Sequence, residues 1–240
     1  MLSTTHSSGE DRASAPVVLV HGFLSSARDD FVENGWLRRL SAANRRAMAV
    51  DLPAHGVSGA PLDTAGATTT AVVDALARTI AHFYPGEEVD VVAYSLGSRL
   101  AWELPAAGAP IRRLVLGGLS LMDPFAGRDA ATLTRALGGG APDPFTGMIA
   151  GMIAGSGQDP EPLIALVAGL GTEPFDPAGN PPAVPVLLAG GTDDQLVTGL
   201  SDLAPTLPDA RFVAVPGDHV AALASVEFWD AAIGFLSPGR

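Results

Sequence analysis

The feature that most constrains the fold of this chain is a series of short apolar runs rich in β-branched residues. Six of them recur along the sequence, and they are Pro16–His21, Ala47–Asp51, Val89–Tyr94, Arg113–Gly118, Val184–Ala189 and Arg211–Val215. Their apolar residues are nearly continuous, which is typical of strands buried on both faces of a parallel sheet. The runs therefore predict about six strands of one mostly parallel sheet.

Amphipathic stretches with helical spacing lie between most of these runs. The four clearest are Phe31–Ala43, Thr68–Phe83, Leu96–Leu104 and Val220–Phe235. Strands that alternate with helices predict an α/β fold, in which a doubly wound sheet is flanked by helices on both faces.

One long segment, residues 121–182, interrupts this alternation between the fourth and fifth runs. It is far longer than the dozen or so residues that a crossover helix needs. It is rich in Gly and Pro at its edges and helical in its middle, so we interpret it as a helical cap insertion. Residues 16–120 and 183–240 then form the core, and residues 1–15 form a flexible N-terminal tail.

The cap segment contains a short repeat, Gly-Met-Ile-Ala at 147–150 and again at 151–154. Four-residue spacing on a helix stacks Met148 on Met152 and Ile149 on Ile153. The repeat fits either a helix packed against the core or an adaptable apolar wall of a substrate pocket, because Met fills irregular gaps.

Composition and charge exclude several classes of function. The chain has 14 Lys+Arg against 26 Asp+Glu, a net charge of −12, and no basic cluster, so neither nucleic acid nor an anionic membrane surface is an expected partner. With no Cys, thiolate nucleophiles and Cys-ligated metals are excluded. No secretory signal pattern and no apolar run long enough to span a membrane is present, so we expect a cytoplasmic protein.

Ser95 is the first candidate for chemistry. It lies in the sequence Ala93-Tyr94-Ser95-Leu96-Gly97, directly after the third run and at the start of a helical stretch. A serine at a tight strand-to-helix turn projects its hydroxyl away from the sheet. It needs small residues two positions to either side, because the backbones approach closely there.

Histidine and aspartate follow other runs, and the carboxyl ends of strands are where ligands bind in open α/β sheets. Of the five histidines, His219 after the last run best fits a general base, whereas the Gly-flanked turns of His21 and His55 favour structural hydrogen bonds. Asp194 follows the fifth run and could accept the Nδ1–H of a histidine, with Asp193 as its rival.

The chain order Ser95, Asp194, His219 resembles that of the α/β-hydrolase fold family. His21-Gly22-Phe23 is similar to the family's oxyanion loop, and 185–194 is similar to its strand ending in Gly-x-x-Asp, which selects Asp194. The resemblance implies an α/β-hydrolase fold across nearly the whole chain from residue 16.

Further similarity and three departures accompany this resemblance. Asp51–Ser58 is similar to the family's segment after the next strand, with Ala54 in place of a glycine. Ala93 replaces the first glycine of the serine turn. The apolar pattern shows none of the family's antiparallel strands before the first parallel strand, and the cap is short.

The resemblance implies a mechanism. Ser95 is the nucleophile, His219 the base and Asp194 the group that orients it, while the backbone N–H groups of Phe23 and Leu96 form the oxyanion hole. No metal or organic cofactor is implied. The expected function is a serine hydrolase that cleaves a carboxylic ester, thioester or lactone of a small to medium apolar substrate through an acyl-enzyme. The residues expected to line the substrate pocket are Leu24, Tyr94, Phe125, Phe145, Met148 and Met152.

Two other classes stay open at this point. The scaffold could carry a non-hydrolytic enzyme, such as a lyase, cyclase or acyltransferase, that uses His219 as a base. It could also serve a ligand-binding protein with little turnover, because fold alone does not fix function. A serine at this turn disfavours the family's epoxide and halide chemistry, in which the resembling proteins use aspartate. The sequence leaves the oligomeric state open.

Overall fold

The structure, a computed structural model, describes residues 1–59, 63–140 and 143–237, so a few positions of the predicted core and cap lie outside it. Within these ranges seven strands form one sheet in the order β1-β3-β2-β4-β5-β6-β7. The strands are β1 Thr4–His6, β2 Val17–Val20, β3 Ala47–Val50, β4 Val89–Tyr94, β5 Ile111–Gly117, β6 Val186–Gly191 and β7 Ala210–Val215.

Helices connect the strands on both sides of the sheet. They are α1 Trp36–Ala42, α2 Thr69–Phe83, α3 Leu96–Glu103, α4 Ala130–Leu137, α5 Pro144–Gly155, α6 Pro160–Thr172, α7 Leu200–Leu203, α8 Ala221–Ala224 and α9 Val226–Leu236. A π-helical turn covers Arg28–Glu33, and short 3₁₀ turns cover Ala65–Ala67, Gln195–Val197 and Ala204–Thr206.

The parallel strands β2, β3, β4 and β6 are buried on both faces, as their continuous apolar runs predict, and β5 is mostly buried. The edge strand β7 is only partly buried. In β2, Val18 and Val20 pack into a core shared with α2 and α3, whereas Val17 and Leu19 pack into a second core shared with α1 and α9. Successive side chains of a strand point to opposite faces, so one apolar strand serves both cores. The predicted mostly parallel α/β fold is confirmed, with one strand more than the six expected.

The additional strand corrects the expectation of a flexible tail over residues 1–15. Thr4–His6 pairs antiparallel with β3, with Thr4 opposite Val50 and His6 opposite Met48. A half-exposed edge strand needs no continuous apolar run, so hydrophobic patterning did not reveal it. The antiparallel element that the sequence pattern lacked is thus present.

Two predicted helices are interrupted. The stretch Phe31–Ala43 breaks at Gly35, which has φ +78°, so that α1 begins only at Trp36. The C-terminal stretch divides at Ser225, whose side chain accepts a hydrogen bond from the N–H of Phe228 and caps α9. Between β5 and β6 the described part of the cap segment contains α4, α5 and α6. None of the helices in the described ranges is both long and apolar enough to cross a membrane.

Candidate active site

The turn between β4 and α3 holds Ser95 in an unusual backbone conformation, with φ +51° and ψ −116°. Such a conformation costs about 1–3 kcal/mol in a non-glycine residue and persists only when its surroundings hold it. Here the N–H of Ser95 donates to the carbonyl of Gly117 on β5 at 2.8 Å, and the Ser95 carbonyl accepts from the N–H of Arg99 at 3.2 Å. The turn is therefore fixed by the neighbouring strand and by the helix that follows it.

Gly97 is required by a close approach between α3 and β2. A Cβ atom at this position would lie 2.2 Å from the carbonyl oxygen of Val20 and 2.7 Å from that of His21. Ala93, which stands in place of the other small residue of the turn, is completely buried in β4. The first helical turn of α3 consequently lies against the end of β2, next to the His21-Gly22-Phe23 loop.

Ser95, His219 and Asp194 lie in one hydrogen-bonded row. His219 Nε2 is 2.9 Å from Ser95 Oγ, and His219 Nδ1 is 2.7 Å from Asp194 Oδ2. Asp194 is buried, and its Oδ1 accepts the N–H of Leu196 at 2.9 Å. This arrangement suits a neutral imidazole that donates from Nδ1 to the carboxylate and accepts the serine proton at Nε2.

The imidazole of His219 sits in a shaped slot. Its ring centroid is 5.6 Å from that of Tyr94, and a Cβ atom on Gly118 would lie 3.1 Å from its Cε1. Asp218, the preceding residue, accepts the N–H groups of Val220 and Ala221 through Oδ1, which fixes the loop ahead of α8. Packing and capping together restrict the ring to the orientation that faces Ser95.

Two backbone N–H groups near the serine are available as donors. The N–H groups of Phe23 and Leu96 donate to no other residue in the part of the chain that the structure describes. Gly22 brings its loop close, since a Cβ atom on it would be 3.3 Å from Ser95 Cβ. The N–H of Leu96 also begins α3, where the helix dipole favours negative charge. The pair can therefore stabilise an oxyanion that develops next to Ser95 Oγ.

His21 and His55 hold the loop that carries Phe23. His21 Nε2 accepts the N–H of Leu52, and His55 Nε2 accepts the N–H of Leu24, both at 2.9 Å. Each Nδ1 faces a backbone carbonyl, so both rings are neutral Nδ1–H tautomers. Burial lowers the pKa of each histidine to about 4. Their expected structural role is what the geometry shows.

Carboxylates fix the same loop from below. Asp51 accepts the N–H of Ala27 at 2.8 Å and that of Val57 at 3.0 Å. Asp30 accepts the N–H of Gly22 at 3.0 Å and the hydroxyl of Ser25. Burial raises the pKa of Asp30 above its ordinary value. These two carboxylates therefore hold the loop at Gly22, Ser25 and Ala27.

A cavity of about 210 Å³ opens above the serine. The following residues line it: Phe23, Ser95, Leu96, Arg99, Gly118, Leu119, Ser120, Met122, Asp123, Pro124, Phe125, Phe145, Met148, Ile149, Met152, Phe175, Leu196 and His219. Four of the six predicted pocket residues are in this lining. Within the Gly-Met-Ile-Ala repeat, Ile153 is buried in the core while Met152 lines the cavity.

The other two predicted pocket residues lie elsewhere. Tyr94 is the last residue of β4, and its ring is buried between His219 and Phe228. Leu24 has φ +62°, and its backbone bonds His55 on one side and the side chain of Gln158 on the other. Tyr94 adjoins Ser95 and Leu24 adjoins Phe23 in the sequence, but neither Tyr94 nor Leu24 lines the cavity.

Two charged residues of the cavity were missed from the sequence. Arg99 and Asp123 form an ion pair, with 3.0 Å between Arg99 Nη2 and Asp123 Oδ2, and both side chains are almost completely buried. Asp123 also accepts the N–H groups of Phe125 and Phe175. The spacing of Arg99 four residues after Ser95 was a signal, since it places both on one side of α3.

Comparison with known families identifies the class of protein. Residues 17–231 match the model of the alpha/beta hydrolase family, and the chain belongs to that family. The fold and the serine turn described above are what this membership leads one to expect. No match to this chain was found among curated proteins.

Solved structures with the same architecture span several activities. An esterase from Thermogutta terrifontis has a TM-score of 0.73 and 20% identity, with 98% of this chain and 92% of that chain covered. An enol-lactonase from Burkholderia xenovorans has a TM-score of 0.70 and 20% identity, with 98% of this chain and 94% of that chain covered. MenH from S. aureus has a TM-score of 0.72 and 19% identity, with 98% of this chain and 98% of that chain covered. At these identities the likeness shows the fold alone.

Proposed function

We propose that this chain is a serine hydrolase that cleaves a carboxylic ester, thioester or lactone of a small to medium apolar substrate. The observation that carries the proposal is the row Ser95–His219–Asp194, with spacings of 2.9 and 2.7 Å, at the base of an apolar cavity. A serine hydroxyl is a weak nucleophile at neutral pH and needs an adjacent base of this kind.

The proposed reaction uses each of these residues in turn. Ser95 Oγ attacks the acyl carbonyl as its proton passes to His219 Nε2, and Asp194 stabilises the imidazolium. The oxyanion accepts hydrogen bonds from Phe23 and Leu96, and one such donor is worth about 3–4 kcal/mol of the barrier. His219 then protonates the leaving oxygen. Water then attacks the acyl-enzyme and gives a proton to His219. As the acyl–oxygen bond breaks, His219 returns this proton to Ser95 Oγ, which releases the acid and free Ser95.

Esters of graded chain length test the proposal. We expect turnover of p-nitrophenyl esters to peak at short to medium acyl chains, because the cavity lies below the roughly 300–1,000 Å³ of pockets for drug-sized ligands. Ser95→Ala and His219→Ala should abolish turnover. Ser201→Ala and His82→Ala, at exposed positions of α7 and α2, are the matched controls and should leave it unchanged.

A fluorophosphonate probe separates the remaining classes. Rapid labelling that is lost in Ser95→Ala supports an activated serine even if no simple ester is turned over. Turnover of a substrate that survives Ser95→Ala but not His219→Ala would contradict the acyl-enzyme and favour lyase-type chemistry. A cytoplasmic location and a small-molecule partner remain part of the proposal.

A further inference from the structure

Arg99 is a buried cation in a mostly apolar pocket wall, which also contains its partner Asp123. It follows Ser95 by four residues on α3, which puts it about one helical turn, or 5–6 Å, further along the same side. Its side chain is only 5% exposed, and it lines the cavity above the serine. A substrate held by Ser95 therefore lies within the same cavity as the guanidinium.

The hydrogen bonds of Arg99 are incomplete. Nη2 donates to Thr69 Oγ1 and to the carbonyls of Leu170 and Glu173, at 3.2, 3.0 and 2.9 Å. In contrast, Nε and Nη1 have no partner among the described residues, although both are buried. Three N–H groups are thus left over, and buried donors without partners are costly.

No other side chain of the described chain combines these properties. Buried polar atoms without partners also occur in Arg45, Tyr94, Trp102 and Arg128, but none of these residues lines the cavity. The unused donors that matter for a ligand are therefore those of Arg99.

The charges around Arg99 indicate which kind of acceptor its free N–H groups would bind. Asp123 already neutralises the guanidinium at 3.0 Å. Glu103 and Glu173 line a separate groove nearby and add negative charge on this side of the molecule. A carboxylate brought into the cavity would leave a net negative charge in a poorly solvated site, whereas a neutral oxygen would not. A neutral acceptor is therefore the better complement.

We propose that Arg99 determines specificity. Nη1 and Nε have almost no exposed surface in this structure, so the side chain shifts when substrate enters, and one of these two atoms then donates to a neutral oxygen, such as a ketone, in the acyl portion of the substrate. This inference rests on the proposed function, because attack by Ser95 defines where the acyl group lies. It makes the substrate class an ester or lactone of an oxo acid rather than of a plain fatty acid.

Isomeric oxo esters test this inference. The substrates are ethyl hexanoate and its derivatives with a ketone at carbon three, four or five. For each enzyme we would measure the ratio of kcat/KM for an oxo ester to kcat/KM for the plain ester. We expect at least one isomer to be favoured about tenfold or more in the wild type, as a hydrogen bond to a charged donor allows.

Variants of Arg99 separate recognition from folding. Arg99→Met and the more conservative Arg99→Lys should each reduce the ratio at least fivefold relative to the wild type. A purely structural role would lower both rate constants together and leave the ratio unchanged. Arg45→Lys, at a buried arginine paired with Asp90 away from the cavity, is the matched control and should keep the wild-type ratio.

Two results would overturn the inference. One is a ratio that is the same in the wild type and in both Arg99 variants. The other is a preference for monoethyl adipate, which carries a carboxylate, that disappears on substitution of Arg99. The latter would assign an anionic group to the site in place of a neutral oxygen.

A binding measurement tests the recognition site independently of catalysis. If no ester is hydrolysed, the proposed function fails, but calorimetry of Ser95→Ala with the same esters still measures affinity. Tighter binding of one oxo ester that is lost when Arg99→Met is added would support the recognition site alone. Equal affinity for oxo and plain esters would refute it.

Discussion

The base and the roof of the cavity are built on different physical principles. The base consists of the turns after β2, β3, β4, β6 and β7, where hydrogen bonds pair particular polar atoms, as at Asp51 and Asp194. The roof is α5, whose Phe145, Met148 and Met152 face the cavity while remaining 42–46% exposed. The base depends on particular atoms, whereas the roof depends on apolar character and can vary more freely.

The strongest test of this contrast is Asp194→Asn. The amide would bind the wrong tautomer of His219 and could not stabilise its cation, so we expect kcat/KM for a p-nitrophenyl ester to fall about 10³–10⁴-fold. Asp193→Asn, at the exposed neighbouring position, should change it less than about twofold. Comparable losses in both variants would contradict the assignment of Asp194.

Gly97→Ala should disrupt the packing of α3 against β2 in the base. Its Cβ would meet the Val20 carbonyl oxygen at 2.2 Å, a backbone atom that cannot move without displacing β2. We expect the free energy of unfolding to drop by about 3 kcal/mol or more, within the range of severe overpacking. Urea unfolding at pH 7 measures it. A loss below about 1 kcal/mol would mean that α3 and β2 are less tightly joined.

The buried histidines make the base sensitive to acid. His21 and His55 have a pKa of about 4 when folded, against an ordinary value of about 6.5. Between these values the unfolded chain binds protons that the folded chain does not, so the free energy of unfolding falls as pH drops. Each histidine contributes up to about 3 kcal/mol of this loss, at 1.36 kcal/mol per pKa unit.

Urea unfolding from pH 7 to pH 4.5 measures this slope. Asp30 opposes it, because a raised carboxyl pKa means that the folded state binds the extra proton. His55→Gln removes one titrating ring and should flatten the curve, while the side-chain oxygen can still accept the N–H of Leu24. Equal stability at both ends of the pH range would contradict the buried neutral state of the two rings.

The sequence predicted the base better than the rest of the molecule. Ser95, Asp194 and His219 could be selected because each follows a strand whose apolar run is unmistakable, and their order is specific. For Arg99 the spacing from Ser95 was the one local signal, since its partners Leu170 and Glu173 are more than 70 residues away and offer only backbone carbonyls. Every residue carries a backbone carbonyl, so contacts to backbone atoms cannot be recognised from residue types in the sequence.

The edge strand β1 and the orientation of the pocket residues could not be predicted from the sequence for a similar reason. β1 gains its stability from backbone pairing with β3, to which polar residues such as Thr4 contribute as well as apolar ones. In the roof, the Gly-Met-Ile-Ala repeat predicted a helix, and this segment forms α5. Which face would line the cavity depended on how α5 packs, and no local pattern specifies that.

The roof should accept a substitution that the base cannot. Gly151 is an exposed residue inside α5, and a Cβ atom on it would meet nothing within 4 Å. Alanine is favoured over glycine in a helix interior by about 1 kcal/mol, so Gly151→Ala should raise the free energy of unfolding by about that amount. Gly86→Ala is the control, because Gly86 also has open space around it but has φ +73°. It should lose about 1 kcal/mol. If Gly151→Ala instead destabilised the protein, α5 would have to be more closely packed than an apolar roof, and the contrast with Gly97 would disappear.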